Sequence, residues 1–403
     1  MKSFNKLILS VIGVCFSLGA LAQTTVPQII SSSETWSPAG SPYIISQNIL
    51  VKNGATVTVK PGTKIRGTGN FKIIMEEGAA FEAIGNKDSV IVIDTTKFEF
   101  MKKSVGYNFS TNSGSQFVYC SFTGMGVSGM QTIYLIETNM LVRNCRFFNT
   151  YYSINAQGTS QVNIEKSVFD WKKFDYGYAY YSSGANTTLN MDECIVSNSY
   201  GIIMASINTI TGCYFYNWQG NLGVATKSTF KCNTFRKFRG SIINCINGNP
   251  AKSEVVIVSN TFDSADYHID YYVMGTPYAK FVCKNNNFLQ YNKNSVRIAG
   301  GSKPGYADTL VFTKNYWNTT SSAAIKTAIW DIKDDITIGG LVDFANFQTS
   351  MNTDCIEDES KEEFVGTEEA NGIKSQQLVS LQVYPNPASQ FIVLNNRSNQ
   401  FKA

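Results

Sequence analysis

The chain has very little of what metal sites and nucleophilic active sites usually need. Among its 403 residues there is one histidine, His268, and no two cysteines are separated by two residues. Protein zinc sites draw on several such ligands, so we expect no metal and no cofactor. The sequence also contains no nucleophile motif, no phosphate-binding loop and no calcium loop.

Long apolar runs and clustered charge are also scarce. Beyond the N-terminal segment no stretch approaches the roughly 18 apolar residues of a membrane helix, so we expect no membrane span. Charged residues make up 16% of the chain and the net charge is +4. Because the basic residues form no stripe, we expect no nucleic-acid partner.

The N-terminal segment has the features of a secretory signal peptide. Lys2 and Lys6 precede an apolar run from Leu7 to Leu21, and Ala20-Leu21-Ala22 is a small-x-small cleavage site. We predict that residues 1–22 are removed on export and that the mature chain begins at Gln23.

A short pattern recurs along the body of the chain: a Cys, Asn or Ser, one free residue, and then an apolar and mostly aromatic residue. The first residues of its copies are Cys120, Cys145, Ser167, Cys194, Cys213, Asn233, Asn260, Asn286 and Asn315. They are spaced by 19 to 29 residues, a period that indicates a solenoid. Short apolar strands flank the copies and helix signals are absent. We therefore predict an all-β, right-handed parallel β-helix over residues 23–352, with one coil per repeat.

The repeated positions should form ladders inside this β-helix. Cys120, Cys145, Cys194 and Cys213 share one position, which favours a buried thiol ladder, with one or two disulfides as the alternative. The later asparagines should continue that ladder through side-chain hydrogen bonds. The aromatic residues should stack in the core. They are Phe122, Phe147, Phe169, Phe215, Phe235, Phe262 and Phe288.

The C-terminal part changes character twice. Ile325, Ala328, Ile329 and Ile332 recur at helical spacing behind Ser321 and Ser322, which predicts a short amphipathic helix that caps the last coil. Residues 353–377 are acidic and are predicted to be a solvated linker. A new apolar alternation then starts around "YPNP" within residues 378–403.

Two segments resemble known families. "VKNGATVTVKPGTKI" near the start, together with "NYW" and "IWDIKDD", resembles bacterial surface proteins of the pectate-lyase-like right-handed β-helix superfamily. Tyr384, Pro385, Asn386 and Pro387 resemble the start of the C-terminal sorting domain of the type IX secretion system, here truncated. This second resemblance implies the type IX machinery as a partner, and a location outside the cell or attached to the outer membrane.

One group of polar residues is the sequence's best candidate for a site. Strand alternation in "HIDYYV" places His268, Asp270 and Tyr272 outward, and alternation in "SVRI" does the same for Ser295 and Arg297. Aligning Ile269 with Val296 brings Asp270 beside Arg297 and His268 beside Ser295. The preceding coil would add Asn244 beside Asp270. An arginine could neutralise a uronate while His268 or Tyr272 acts as acid or base.

Tyrosine-rich stretches offer a second kind of contact. Residues 174–181 and 266–278 carry many tyrosines, whose rings can stack on sugars or on each other. The function we favour is non-catalytic binding or adhesion at the cell surface, with a polysaccharide or a host or cell-surface glycan as the ligand. The alternative is a polysaccharide lyase or glycoside hydrolase, which would need two carboxylates flanking a cleft.

Overall fold

A computed structural model describes residues 23–124, 131–171, 177–182, 186–201, 206–224, 227–245, 253–272, 279–299 and 308–355. In these residues the chain is an all-β parallel solenoid with one short α-helix, which confirms the predicted fold class. Each coil contributes strands to three faces. Equivalent strands of successive coils pair in parallel, as in Phe122 with Phe147 and then Phe147 with Phe169.

The first face is a thirteen-stranded sheet that extends from one end of the solenoid to the other. Its strands are Glu34–Trp36, Thr56–Val59, Ala80–Ile84, Gln116–Val118, Met140–Arg143, Gln161–Glu165, Thr188–Asp192, Ile207–Thr211, Lys227–Lys231, Glu254–Val258, Lys280–Lys284, Asp308–Thr313 and Gly340–Asp343.

The second face lies at the first residues of the copies of the repeat, which we call anchor residues, and we call it the anchor face. Its strands are Thr24–Thr25, Tyr43–Ile45, Cys120–Thr123, Arg146–Phe148, Val168–Asp170, Ile195–Ser197, Tyr214–Trp218, Thr234–Phe238, Thr261–Asp263 and Asn287–Phe288. Two long strands, Lys64–Met75 and Ile91–Phe100, begin on this face and continue onto the next one.

The third face follows the anchor face along each coil and holds the candidate site. Its strands are Ile29–Ile30, Ile49–Val51, Gln131–Ile136, Tyr152–Gln157, Tyr178–Ser182, Leu222–Gly223, Ser241–Cys245, Ala265–Tyr272, Tyr291–Ala299 and Ile329–Trp330. The last five of these form a separate five-stranded sheet.

The ladders expected from the repeat are present in the core. Phe122, Phe147 and Phe169 stack with ring centroids 4.5 and 4.8 Å apart, and all three are fully buried. Val196 interrupts the rings, and the stack resumes through the other phenylalanines at centroid distances of 5.0 to 5.2 Å. These are Phe215, Phe235, Phe262 and Phe288.

The asparagine ladder joins successive coils by hydrogen bonds. The backbone N–H of Asn233 and its side-chain amide both donate to Oδ1 of Asn260, at 2.9 Å each. Asn260 donates in the same two ways to Asn286, and Asn286 to Asn315. Each buried amide therefore satisfies its neighbour, which is why a polar row is stable inside an apolar core.

The cysteines divide into two groups. Cys120, Cys145, Cys194 and Cys213 are buried free thiols, which confirms the thiol ladder. Burial raises the pKa of Cys120 and Cys213 well above the usual value for a thiol, so these groups stay protonated. The structure has one disulfide that the repeat did not predict, between Cys232 and Cys355, which are 123 residues apart.

The predicted capping helix is present but shorter than its apolar pattern suggested. It spans Ser322–Thr327, and the Ser321 side chain accepts a hydrogen bond from the Ala324 N–H as N-cap. Ile329–Trp330 then forms a strand that pairs with Val296 and Arg297. The helix therefore ends where its chain joins the five-stranded sheet, and there the Ala328 carbonyl accepts a hydrogen bond from the Ser295 N–H at 2.7 Å.

Candidate functional site

The third face bends sharply, and the bend changes which side chains point outward. In six coils two consecutive residues are both buried where a flat strand would alternate. The pairs are Thr132-Ile133, Ser153-Ile154, Ala179-Tyr180, Ile242-Ile243, His268-Ile269 and Ser295-Val296. The residue before each pair is partly exposed, and so is the residue after four of the pairs; Asn155 and Asp270, which follow the other two, are themselves buried.

This bend overturns the predicted orientation of His268 and Ser295. Both are buried, at 0% and 1% exposure, so neither lies on the outer surface. They are neighbours as predicted: His268 Nδ1 lies 2.9 Å from Ser295 Oγ. The other ring nitrogen lies 2.8 Å from the Gln290 carbonyl, and the imidazole packs beside the stacked rings of Phe262 and Phe288.

The surroundings of His268 keep it uncharged. Burial lowers its pKa to about 4, because an imidazolium would lose its hydration inside the core, although the hydrogen bond to the Gln290 carbonyl acts in the opposite direction. A side chain enclosed by phenylalanine rings and backbone has no surface on which to meet a ligand. We therefore assign His268 and Ser295 to the core.

The predicted contact between Asp270 and Arg297 is correct. The two residues pair across adjacent coils, and Asn244 pairs with Asp270 from the preceding coil. Arg297 Nε donates to Asp270 Oδ1 at 2.9 Å and Nη2 donates to Oδ2 at 2.5 Å. The Ser241 hydroxyl donates to the same Oδ2 at 3.1 Å, so both carboxylate oxygens of Asp270 accept hydrogen bonds.

Tyr267 completes this cluster from the other side of the bend. The Arg297 guanidinium lies 4.0 Å above its ring centroid, and Nη1 donates to its hydroxyl at 3.2 Å. The hydrogen bond to Asp270, with the charge on that carboxylate, raises the pKa of Arg297. All three guanidinium nitrogens are therefore bonded within the cluster, which is the arrangement of a structural ion pair.

Tyr272 is exposed, as predicted, with 38% of its surface accessible. Trp330 is also exposed and pairs with Arg297 from the following strand. The coil spacing predicts two further ion pairs, because Arg236 and Arg239 follow Asn233 at the same offsets at which Asp263 and Asp266 follow Asn260. Arg239 and Asp266 do not form such a pair: Asp266 instead bonds Lys293, whose Nζ lies 3.0 Å away. The companion pair, Arg236 with Asp263, is present at 3.2 Å.

A larger aromatic surface lies toward the middle of the third face. We call it the tyrosine cluster, and its members are Tyr151, Tyr152, Tyr178, Tyr181 and Tyr200. Tyr152 is its centre. Its ring stacks on Tyr178 in the next coil, with centroids 5.1 Å apart, and meets the edges of Tyr151 and Tyr181 at 4.7 and 5.2 Å.

The cluster follows from the bend as well. Tyr178 and Tyr181 flank the buried pair Ala179-Tyr180, so both turn outward. Tyr152 pairs with Tyr178, and Asn155 with Tyr181. The sequence singled out residues 174–181 but missed Tyr151, Tyr152 and Tyr200. The 26-residue offset between Tyr152 and Tyr178, one coil, was the signal that could have found them.

Partial burial makes two phenols of the cluster less acidic. It raises the pKa of Tyr178 to about 12 and also raises that of Tyr152, with the adjacent tyrosines adding to the effect. The hydroxyl groups of Tyr152 and Tyr178 therefore stay protonated at neutral pH. They remain able both to donate and to accept hydrogen bonds.

Several predicted features lie outside the described residues. They are the signal peptide at 1–22, the sorting motif Tyr384, Pro385, Asn386 and Pro387, residues 356–377 of the acidic linker, and residues 174–176 and 273–278 of the tyrosine-rich stretches. Within the described ranges no three His, Cys, Asp or Glu side chains are grouped so as to hold a metal ion. In the same residues no helix has the length and apolar character needed to cross a membrane.

Comparison with known proteins identifies no family for this chain. No family model and no curated protein matches the chain. One similar solved structure is a mannuronic acid-specific polysaccharide family 6 lyase from human gut microbiota, with 12% identity, coverage of 80% of this chain and 86% of that chain, and a TM-score of 0.28. Another is QnrB1, a plasmid-mediated fluoroquinolone resistance protein, with 9% identity, coverage of 80% and 91%, and a TM-score of 0.17. At these scores neither similarity bears on activity.

Proposed function

We propose that this protein is a non-catalytic glycan-binding protein of the cell surface, and that the tyrosine cluster is its binding surface. The observation that carries the proposal is the group of five partly exposed tyrosine rings in mutual contact on one face. A tyrosine presents a rigid apolar ring and a hydroxyl at little entropic cost, which suits a ligand with both apolar and hydroxyl faces. A sugar ring has both.

The geometry of the cluster fits an extended polymer. Tyr152 and Tyr178 stand in neighbouring coils, so their spacing follows the roughly 4.8 Å separation of paired strands. Successive sugars in an extended chain are spaced by a similar length. Tyr152 and Tyr178 cover each other's facing ring surfaces, so a glycan chain that runs along the solenoid axis would contact their edges and hydroxyls and the differently inclined rings of Tyr151 and Tyr181.

The charge around the cluster favours neutral sugars. The partly exposed side chains that pair within these strands include Gln131, Tyr134, Tyr152, Tyr178 and Tyr181, and none of them is an Asp, Glu, Lys or Arg. Tyr134 also pairs with Glu99 of the preceding coil, and Glu99 forms an ion pair with Lys72. A uronate or sulfate would lose water on binding without gaining a cationic partner there. A neutral polysaccharide loses no such hydration.

The groups around Asp270 and Arg297 are not arranged for catalysis. A lyase or glycoside hydrolase acting there would need a free base or a pair of free carboxylates. His268 is enclosed in the core, and Asp270 already accepts hydrogen bonds on both oxygens.

For delivery to the surface we propose that signal peptide 1–22 directs export and that the "YPNP" motif at 384–387 engages the type IX machinery.

A glycan array with the purified protein tests binding and chemistry together. We expect binding to one or more neutral polysaccharides, with no new reducing ends and no unsaturated uronate formed from any bound glycan. Release of either product would identify an enzyme and overturn the non-catalytic assignment. Absence of binding across neutral and acidic glycans would reject the glycan proposal itself.

A further inference from the structure

The end of the described chain turns back along the outside of the solenoid. The Lys314 N–H donates to the Asn346 carbonyl at 3.0 Å, and the Gln348 N–H donates to the Asn315 carbonyl at 2.9 Å, so residues 346–348 still lie on the last coil. Asn352 bonds one coil further back: its N–H donates to Asn287 Oδ1 at 2.8 Å. The Asn287 amide returns a bond to the Asn352 carbonyl at 2.9 Å. We call residues 349–355 the strap.

The strap ends at the disulfide between Cys355 and Cys232. Cys232, Ser259 and Asn285 occupy the same turn position in three consecutive coils, each with a positive φ and each donating its N–H to the next coil. Asn352 Nδ2 donates to the Asn285 carbonyl at 2.6 Å, so the strap passes this row. Two coil steps span about 10 Å, and the three residues from Asn352 to Cys355 reach about that far when extended.

The disulfide therefore gives the chain a covalent bypass, a direct link from Cys355 to Cys232 that does not pass through the residues between them. From it we infer that the Cys232–Cys355 disulfide is a mechanical tether, which carries tension on the chain beyond Cys355 directly into the middle of the solenoid. The loop that it closes spans 123 residues and contains the last coils, the capping helix and the strap itself. Tension applied at the two ends of the chain crosses the sulfur–sulfur bond and leaves that loop unloaded. The inference concerns mechanics and does not rest on glycan binding.

The bypass matters because a solenoid is weakest at its ends. A terminal coil has a paired neighbour on one side only, so a pull at the end of the chain would peel coils away one after another. The strand that precedes Cys232, Lys227–Lys231, is paired on both sides, with Ile207–Thr211 and with Glu254–Val258. A force applied at that coil instead acts on both of these strand pairings at once.

Formation of the tether is an ordinary two-electron oxidation. The two thiols lose their protons, a sulfur–sulfur bond forms, and the two electrons reduce a disulfide-bearing oxidant to its dithiol. Such oxidants operate on exported proteins, the compartment that the N-terminal segment predicts. Dithiothreitol reverses the reaction and becomes a cyclic disulfide. The six other cysteines of the described chain are buried thiols that take part in no disulfide, so among the described residues this bond alone is open to reduction.

Single-molecule stretching of the full chain between its two ends tests the tether. The fully stretched length of the oxidised protein should be shorter than that of the reduced protein by about 400 Å, since 123 residues are hidden at 3.3–3.6 Å each. Cys232→Ser and Cys355→Ser should each show the longer length without reductant. Adding reductant to either variant should change nothing.

Equal lengths for the oxidised and reduced native protein would overturn the tether. Peptide mapping under non-reducing conditions checks the bond independently, because Lys231 and Arg236 allow trypsin to release a short peptide that contains Cys232. That peptide should appear joined to the one that contains Cys355. Its recovery as a free thiol from the freshly exported protein would also reject the proposal, even if both serine variants failed to fold.

Discussion

The ring of Tyr152 stacks on the ring of Tyr178 one coil further along, with centroids 5.1 Å apart and planes 24° from parallel. The two residues face outward because the coil bends next to them and buries the residue pair that follows each. The same bend turns His268 inward. One backbone feature thus builds the proposed binding surface and removes the histidine from the candidate catalytic group.

The Asp270–Arg297 pair gives the first prediction. Arg297→Ala should lower the free energy of unfolding by about 2 kcal/mol, between the values for exposed and buried pairs, because the Asp270 side chain is 10% exposed and would lose its charged partner. If Arg297 were instead an exposed ligand-binding residue, the substitution would leave the free energy of unfolding unchanged. Urea denaturation measures the change. Asp270→Asn in the Arg297→Ala background should recover part of the loss, and an unchanged stability in Arg297→Ala would contradict the buried-pair assignment.

His268 gives a prediction about pH. Its pKa is about 4 in the folded protein and about 6.5 when unfolded, so the unfolded chain binds the proton more readily. The stability is therefore full above pH 6.5 and should decrease as the pH falls toward 4, by at most about 1.4 kcal/mol per pH unit. Denaturation at several pH values measures the slope. His268→Gln should flatten the slope between pH 6.5 and 5, and an identical slope in both proteins would show that His268 is not the group responsible.

The asparagine ladder gives a third prediction. Asn260→Ala removes the acceptor for the backbone N–H and the side chain of Asn233, and both donors are buried. An unsatisfied buried donor costs about 1–3 kcal/mol, so the variant should melt several degrees lower. Asn163→Ala is the matched control, because Asn163 bonds Asn190 on the partly exposed outer side of the first face. Equal effects of the two substitutions would contradict the ladder's structural role.

The core stack gives a fourth prediction. Phe235 lies between Phe215 and Phe262 and is fully buried, so Phe235→Ala would leave a cavity and should cost about 3–5 kcal/mol. Phe148→Ala serves as the control, because Phe148 belongs to the same face but points outward. Circular dichroism during thermal melting measures both variants. A small effect at Phe235 would contradict the continuity of the stack.

The register between coils could be predicted from the sequence, because the spacing of the repeats fixes it. Ile269 pairs with Val296, and Asp270 with Arg297, as the alignment required. The orientation of His268 could not be predicted by alternation, since alternation assumes a flat strand and the third face bends there. The Cys232–Cys355 disulfide could not be predicted either, because Cys355 falls in a segment predicted to be an acidic linker and its partner lies 123 residues away.

The central claim, that the tyrosine cluster binds glycan, is tested most directly by isothermal titration of the bound polysaccharide into the native protein and into Tyr178→Ala. We expect the affinity to fall at least tenfold, because the substitution removes the ring on which Tyr152 stacks, and a lost aromatic contact at a binding centre costs about 2 kcal/mol. Tyr216→Ala on the anchor face, where Tyr216 contacts Lys237, should bind as the native protein does. Equal affinity of the native protein and Tyr178→Ala, with both variants folded, would contradict the claim.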